Sequence, residues 1–374
     1  MSFFIDIHAL QTLPPSNINR DDTGAPKTAV FGGVPRQRVS SQAWKSAIRQ
    51  DFAGNLDSSQ LGLRTKRVAE KVVKKIQDIS EEYDVEKAQA GVTAAFKTAG
   101  IKITPKVKNK GLEDEKTTLE TGYLLLLSTQ QINRLAQAII DADGAKLTKK
   151  EVAEILDTQH SVDISLFGRM LADAPDFNVD ASCQVAHAIG VHESEPEFDY
   201  YTAVDDVVRE AEESGAGMIG TVEMMSSTLY RYANINLDGL VKNLDDKEAA
   251  HAAALQFIKS FISAMPTGKQ NSFANRTLPE AVVVTLRDDR PVSYVNAFET
   301  PVKESAEHGR RVMAAQALAQ EATDLAETYG LEPAKSYVLA VGELKESLAA
   351  LGEEVNLKTL LDKLQADLAE VHTN

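Results

Sequence analysis

The period of the apolar residues changes repeatedly along this chain, which confines it to folds that mix strands with helices. Phe3-Phe4-Ile5-Asp6-Ile7-His8-Ala9-Leu10 alternates, placing Ile5 and Ile7 on one face of a strand and Asp6 and His8 on the other. A loop rich in Pro, Asn, Asp and Gly is expected from Pro14 to Gly33. Ser40 and Ser41 then offer an N-cap for a helix running to about Phe52. Trp44, Ala47, Ile48 and Phe52 share one side of that helix, and Gln42, Lys45 and Arg49 share the opposite side. From Leu56 to Asp180 the pattern is helical, as in Val68, Val72, Val73, Ile76 and in Ile132, Leu135, Ala136, Ile139, broken by a lysine-rich loop from Lys102 to Lys110. Strand character returns at Ser182–His192 and Ser227–Leu237, with an acidic, glycine-punctuated segment from Glu193 to Ser226 between them. A helix from Asp245 to Met265, a strand from Ala281 to Leu286, and helices near 302–329, 334–351 and 357–371 complete the reading.

Stripped of insertions, the order is strand, helix, strand, strand, helix, strand. That predicts an α+β chain with a ferredoxin-like core, the arrangement of the RNA recognition motif. The core takes residues 1–56 and 181–374 with its C-terminal helices. A helical insertion occupies 57–180, and a smaller protrusion occupies 193–226. No apolar run approaches the length of a membrane span, the densest being Leu124–Leu127. The first residues show no basic leader, and a lone cysteine, Cys183, excludes an internal disulfide or a cysteine-rich zinc site. A cytoplasmic protein without membrane partner, cofactor or metal is expected.

The net charge of −15 argues against a polyanionic partner until its distribution is read. Residues 1–110 hold 18 Lys and Arg against 11 Asp and Glu, a net of +7, while the remainder holds 22 against 44, a net of −22. Screening over about 8–10 Å makes the local field decisive. Within the 34 residues from Ser16 to Arg49 stand Asn17, Asn19, Arg20, Lys27, Arg36, Arg38, Ser40, Ser41, Gln42, Lys45 and Arg49. Cations neutralise phosphates, and amides and hydroxyls add neutral hydrogen bonds to phosphate and sugar. Gly32 and Gly33 would let the backbone approach a ligand.

Enzyme signals are weaker. Gly215-Ala216-Gly217-Met218-Ile219-Gly220 spells a dinucleotide fingerprint but follows an acidic helix-like run and precedes a strand-like one, the reverse of what that site needs. His187 and His192, five apart in one expected strand, face opposite sides and would not share a metal. Asp21-Asp22 and Asp205-Asp206 read as caps or turn formers. The rival reading is a metal-dependent ribonuclease using Asp21 or Asp22, and a second is an RNA-free scaffold assembling through acidic helices. No G-x-S-x-G, P-loop or H-E-x-x-H occurs.

Pro14-Pro15-Ser16-Asn17-Ile18-Asn19-Arg20-Asp21-Asp22, Lys27, Phe31-Gly32-Gly33, Arg36, Arg38 and the run Ser40 to Arg49 together resemble the N-terminal signature of the CasC family, the crRNA-binding backbone subunits of type I-E CRISPR Cascade complexes. Phe167-Gly168-Arg169-Met170, Ala186-His187-Ala188-Ile189, Tyr201 to Asp206, Tyr230 to Leu237, Gly268-Lys269-Gln270 and Asn296 to Glu299 fit the same family, so the resemblance spans about residues 1–300. Ser46 and Pro35 depart from its pattern. The resemblance implies a right-hand shape with an RNA-recognition-like palm, helical fingers and a thumb, and copies stacked along one guide RNA, each thumb reaching over its neighbour. It implies that Arg20, Lys27, Ser40, Gln42, Lys45 and Arg49 grip the guide backbone and that Met170, beside Arg169, wedges at a kinked nucleotide. Lys269 and Gln270 would add polar contacts. The implied partners are crRNA, target DNA paired to the guide, neighbouring copies, and the large, small, guide-end-capping and guide-processing subunits. No catalysis is implied, because a separate helicase–nuclease cuts the DNA and base pairing reads the sequence.

Overall fold

The computed structural model describes residues 3–108, 116–204 and 216–371. The α+β chain divides into two units, residues 1–51, 184–236 and 254–374 in the first and residues 52–183 and 237–253 in the second. The first opens with β1 (Phe4–Ser16), longer than its alternation suggests and buried on both faces. Asp6 and His8 are therefore interior groups that need partners. Asp6 accepts from the Tyr232 hydroxyl (2.8 Å) and the Val292 amide (2.9 Å) and pairs with the buried Arg287 at 3.1 Å. Burial pushes its carboxyl up to about 6, against the opposing pull of those bonds. His8 stacks 4.2 Å from Tyr294, and burial holds its imidazole down to about 3. Pro14 and Pro15 have no N–H to offer a ladder, and the register of β1 shifts between Leu13 and Ser16 where they sit.

The expected loop to Gly33 is more ordered than its composition suggests. β2 (Thr28–Phe31) and β3 (Val34–Val39) form a hairpin closed by Gly32 and Gly33 at φ +60° and +79°. A two-residue hairpin turn with both central residues at positive φ favours glycine at each. A Cβ on Gly32 would stand 1.7 Å from the Glu299 carbonyl oxygen. The close approach that Gly32 permits is therefore to the chain itself, while Gly33 faces open space. α1 (Ser41–Asn55) follows as its period predicts, with Trp44, Ala47, Ile48 and Phe52 buried. In the first unit Trp44 packs with Leu13, Ile18, Val39, Ala188 and Leu229.

The second unit is mainly helical, with helices at Val68–Ile79, Val85–Thr98, Thr129–Ala142, Lys149–Leu156 and Val162–Phe167. The periodic residues Val68, Val72, Ile76, Ile132, Leu135, Ala136 and Ile139 are all in its core. It also carries strands that the helical period hid: β4 (Gly62–Thr65), β5 (Ile103–Lys108), β6 (Lys116–Thr121) and β7 (Leu125–Ser128), paired as β4–β7 and β5–β6. The lysine-rich stretch is thus one arm of a hairpin rather than a loop. Residues 237–253 belong here as well, not to the sheet unit where the sequence placed them. Leu237 and Leu240 are buried, and Asn243 Nδ2 donates to the carbonyls of Ser165 (3.0 Å) and Asp180 (2.8 Å).

The remaining strands complete the large sheet: β8 (Cys183–Val185), β9 (Ala188–Gly190), β10 (Glu197–Val204), β11 (Ala216–Asn236), β12 (Ala281–Arg287), β13 (Lys335–Ala340) and β14 (Glu353–Glu354). Its order is β14-β13-β12-β1-β11-β9-β3-β2, with β8 and β10 also on β11. The central β12-β1-β11-β9 pairs are antiparallel, and the chain visits them as β1, α1, β9, β11, helix Lys247–Ser263, β12, which is the connection order read from the sequence. Ser182–His192 is two short strands, and His187 lies between them. The described part of the 193–226 protrusion is a hairpin of β10 on the start of β11, exposing Phe198 and Tyr200. Residues 216–220 of the glycine motif are in that strand, without the turn into a helix that a dinucleotide site requires; Gly215 and Asp205-Asp206 lie outside the described residues. The helix expected over 334–351 is instead β13 and a short helix, Leu344–Leu348, because Ser336 to Ala340 ladder against β12.

Candidate nucleic-acid interface

The β1–β2 connection is a small hairpin of its own. Lys27 N donates to Asn19 O (2.9 Å) and Asp21 N to Ala25 O (2.9 Å), while Arg20 bridges Pro26. The buried Asn17 amide ties its base down through the carbonyls of Gly24 and Glu223. Asp21 Oδ1 accepts from Thr23 N (2.9 Å), Thr23 Oγ1 (2.7 Å) and Ala25 N (3.0 Å), and these bonds, Thr23's foremost, hold its carboxyl below the usual range. This is an Asx-type turn that aims Arg20 and Asp22 outward. Gly268 lies against this hairpin so closely that a Cβ would meet Ile18 O at 2.3 Å, and residues 18–24 together with Gly268 line an open depression of about 530 Å³. Lys269, in the left-handed region at φ +45°, and Gln270 follow at half exposure.

The hairpin meets the start of α1. Asn19 Oδ1 accepts from Ser40 N (2.8 Å), Ser40 Oγ accepts from Ala43 N (3.3 Å), and His187 Nδ1 accepts from Ser41 N (3.1 Å). Arg38 holds its guanidinium 3.4 Å from the same imidazole nitrogen and donates through Nε to Thr28 O (3.3 Å), while its amide bonds Lys27 O (2.8 Å). Burial, then Arg38 and Lys27, keep the His187 pKa below its ordinary value. Lys27 and Arg38 thus lie beside a helix N-terminus, with exposed Arg20 on the adjoining hairpin, and there the macrodipole and oriented N–H groups already favour an anion. Gln42 is exposed, and Lys45 and Arg49 are half-exposed, on the side of α1 opposite its buried stripe.

Several expected contact residues are not placed to touch RNA. Arg36 is fully buried, its guanidinium donating to the carbonyls of Phe31, Gly190, Phe298 and Glu299 at 3.0–3.1 Å. Phosphate cannot reach it without unpacking that segment. Ser40 is likewise buried and serves as the helix cap. In the second unit Arg169 is buried among the carbonyls of Phe177, Leu126 and Leu156 and the Gln131 side chain, and burial draws its guanidinium down to about 10. Its neighbour Met170 is 84% exposed, which excludes core packing as its role. Sequence reasoning missed His187 as part of the helix entrance, since its partner Ser41 is 146 residues away. Among the described residues no group of three His, Cys, Asp or Glu side chains is arranged to hold a metal ion, and no helix is long and apolar enough to cross a membrane.

Fold and site define an α+β chain whose sheet unit presents a cation-lined helix entrance and whose second unit is a helical insertion. The chain belongs to the CT1975-like protein family, the match spanning residues 5–363. It is similar to a chain of a CRISPR RNA-guided surveillance complex, pre-nicking, with 37% identity over 98% of this chain and 100% of that one and a TM-score of 0.84. A chain of a second CRISPR RNA-guided surveillance complex is 32% identical over the same shares, with a TM-score of 0.75. No curated protein sequence matches.

Proposed function

We propose that this chain is a non-catalytic backbone subunit of a type I-E CRISPR surveillance complex, lying in several copies along one crRNA and gripping its sugar–phosphate backbone. The cluster of Lys27, Arg38 and His187 at the start of α1, with Arg20 on the adjoining hairpin, carries this reading, in a chain 37% identical over nearly its whole length to one from an RNA-guided complex. Its elements are backbone amides, guanidinium and ammonium groups, which suit phosphate and sugar, and this fits a guide whose sequence must vary. Lys269 and Gln270 extend the contact, and exposed Met170 is the apolar wedge beside a kinked nucleotide. The β10–β11 hairpin reaches the neighbouring copy. Target DNA comes to the complex by pairing with the guide, and the other Cascade subunits cap, process and complete it.

Asp21 is committed to three turn hydrogen bonds, which supports a structural role for the loop carboxylates over a metal-dependent ribonuclease. The purified protein should carry RNA of one discrete length, read from its absorbance ratio at 260 and 280 nm and on a denaturing gel; RNA-free protein would refute the proposal in favour of a scaffold. Matched RNA or DNA incubated with the complex and magnesium, without the helicase–nuclease, should remain intact. Cleavage abolished by Asp21→Ala with Asp22→Ala would refute the non-catalytic assignment.

A further inference from the structure

Met170 stands 84% exposed between two neighbours, Arg169 and Leu171, that are only 5% and 2% exposed. A lone exposed apolar side chain is ordinary on a protein surface. One whose neighbours on both sides are drawn into the interior is held out from it. The second unit makes this turn as it leaves helix Val162–Phe167. Gly168 N donates to Ile164 O (2.8 Å) and closes the helix, and Gly168 takes φ +77°, where a Cβ would stand 2.8 Å from Val179 O. Arg169 and Val179 then exchange two backbone hydrogen bonds of 2.9 Å. Leu171 N donates to Asn178 Oδ1 (2.6 Å). The chain is thus fastened immediately before and immediately after Met170.

The fastening before Met170 continues inward through the Arg169 guanidinium. Its Nε donates to Phe177 O (2.9 Å), its Nη2 to Leu156 O (2.8 Å), and its Nη1 to Leu126 O (3.4 Å) and Gln131 Oε1 (3.3 Å). Gln131 is itself immobilised, accepting at Oε1 from Ser128 N (3.0 Å) and donating from Nε2 to Leu156 O (2.9 Å) and Thr158 O (3.0 Å). Among the described residues Arg169 forms no ion pair. A desolvated cation without a counter-ion is a costly core filler, and an apolar side chain of similar volume would stabilise the unit better. What a planar fork of five donors supplies instead is a fixed direction. β7, the end of helix Lys149–Leu156 and the 175–177 turn all meet at this one guanidinium. The residue whose direction they fix is the next in the chain, Met170.

We propose that Arg169, Gln131 and Asn178 are positioning residues that make Met170 a rigid wedge and so set how completely it unstacks the guide. The inference rests on the reading of Met170 as the apolar wedge. Parting two stacked bases costs free energy, and methionine, with three rotatable bonds, has little stiffness of its own. A loose turn would yield to the stack instead of opening it. Anchoring both neighbours in the folded chain removes that freedom before RNA arrives. None of the three needs to touch RNA for this. Arg169 and Gln131 are buried, and the Oδ1 of exposed Asn178 is engaged by Leu171.

The test binds the full chain to single-stranded RNAs of one length, each carrying a single 2-aminopurine at a different position. The emission of this base rises when it leaves the stack, and it is read at saturating protein so that affinity does not enter. Met170→Ala should remove the rise seen with the wild type. Asn178→Ala should lower the ratio of unstacked to stacked base by about two- to tenfold, the worth of one neutral hydrogen bond. Asn178→Asp, which keeps the acceptor for Leu171 N, should restore it. Arg169→Lys should lower the ratio further yet keep the wild-type salt slope, because no phosphate contact is lost. Hydrogen exchange of the RNA-free chain reads the anchor directly: residues 168–172 should exchange faster in Asn178→Ala, with the rest of the second unit protected as in the wild type. Wild-type emission in folded Arg169→Lys and Asn178→Ala would overturn the inference, as would a loss in Asn178→Ala that Asn178→Asp does not restore. Should Arg169→Lys not fold, the Asn178 pair decides alone. A full rise in Met170→Ala is a different failure, which overturns the wedge reading itself and this role with it.

Discussion

Trp44→Ala tests how α1, and with it the helix entrance, is held on the sheet. Trp44 is 1% exposed, and the guanidinium of Arg231 lies 3.7 Å from its ring centroid. Arg231 is fully buried, its pKa drawn down to about 9 by burial, and is sandwiched against Phe261 at 4.4 Å. Its Nη1 donates to Gln11 Oε1 (2.6 Å) and its Nη2 to the Phe261 carbonyl. Removing a buried Trp side chain costs about 3–5 kcal/mol in forfeited transfer energy and cavity. A desolvated cation over an indole face adds about 2 kcal/mol, but water entering the cavity would rehydrate Arg231, so the two terms overlap. The expected loss is about 4–5 kcal/mol. Trp44→Phe keeps an aromatic face and should lose about 1–2 kcal/mol. Guanidinium unfolding followed by far-UV circular dichroism measures both variants. In the wild type the emission of Trp44, the single tryptophan, reports the same transition from α1. A Trp44→Ala protein within about 1 kcal/mol of wild type would show that neither the indole nor the cation beneath it anchors this helix.

Lys45→Ala with Arg49→Ala should leave the fold intact, weaken binding of a single-stranded guide, and reduce the salt slope by about 0.7 for each phosphate that is no longer neutralised, so an unchanged salt titration refutes their role. Gly32→Ala meets the Glu299 carbonyl at 1.7 Å as well as an unfavourable φ, whereas Gly33→Ala meets only the φ. Losses of about 2–5 and about 1–2 kcal/mol are expected by chemical denaturation, and equal losses would refute the packing argument. Acidification tests the buried His8. Its folded pKa of about 3 lies below the unfolded 6.5, so the unfolded chain takes up the proton first and His8 costs stability as pH falls through 6.5. Asp6, raised from 3.8 to about 6, works the other way between those values, because there the folded chain holds the extra proton. The stability of wild type relative to His8→Phe should therefore fall by about 2 kcal/mol between pH 6.5 and 5, and a constant difference would show that burial does not lower the pKa of His8 in the fold.

The strand-and-helix order of the core was legible because each element repeats its own period over enough residues: β1, α1 and the buried β12 all lie where their patterns put them. Errors arose where tertiary pairing overrode local composition. Pro14-Pro15 and the polar run to Lys27 look like loop, yet β1 continues to Ser16 through a register shift and β2 begins at Thr28 because β3 is there to pair with it. Ile103 to Lys108 is polar enough to pass for a loop, and only the facing Lys116–Thr121 makes it a strand. Residues 334–340 contain good helix formers, but β12 offers an open edge and Tyr337 and Val338 are buried against it. Leu237–Leu244 carries an apolar stripe in either unit; the carbonyls of Ser165 and Asp180, far away in the chain, decide which one it joins.

The cations of the candidate site divide by the same logic. Arg36 and Arg38 stand two apart on β3, so parity puts them on the same face and the sequence treats them alike. Residues 298–299 then cover Arg36 and leave Arg38 at the helix entrance, an outcome set some 262 positions away. Burial does not remove Arg36 from the interface, however. Its four carbonyl partners join the β2 end, β9 and the Phe298–Glu299 segment, which fixes the β2–β3 hairpin on which Lys27 and Arg38 are bonded to each other through the backbone. A guanidinium with five donors and a planar fork can hold three chain segments at once, where an ammonium could not reach them in one geometry. Arg36→Lys should therefore weaken guide binding indirectly, through a displaced hairpin, with the affinity falling while the salt slope stays that of the wild type. A slope made shallower by about 0.7, the signature of one phosphate released, would mean that Arg36 reaches the RNA after all.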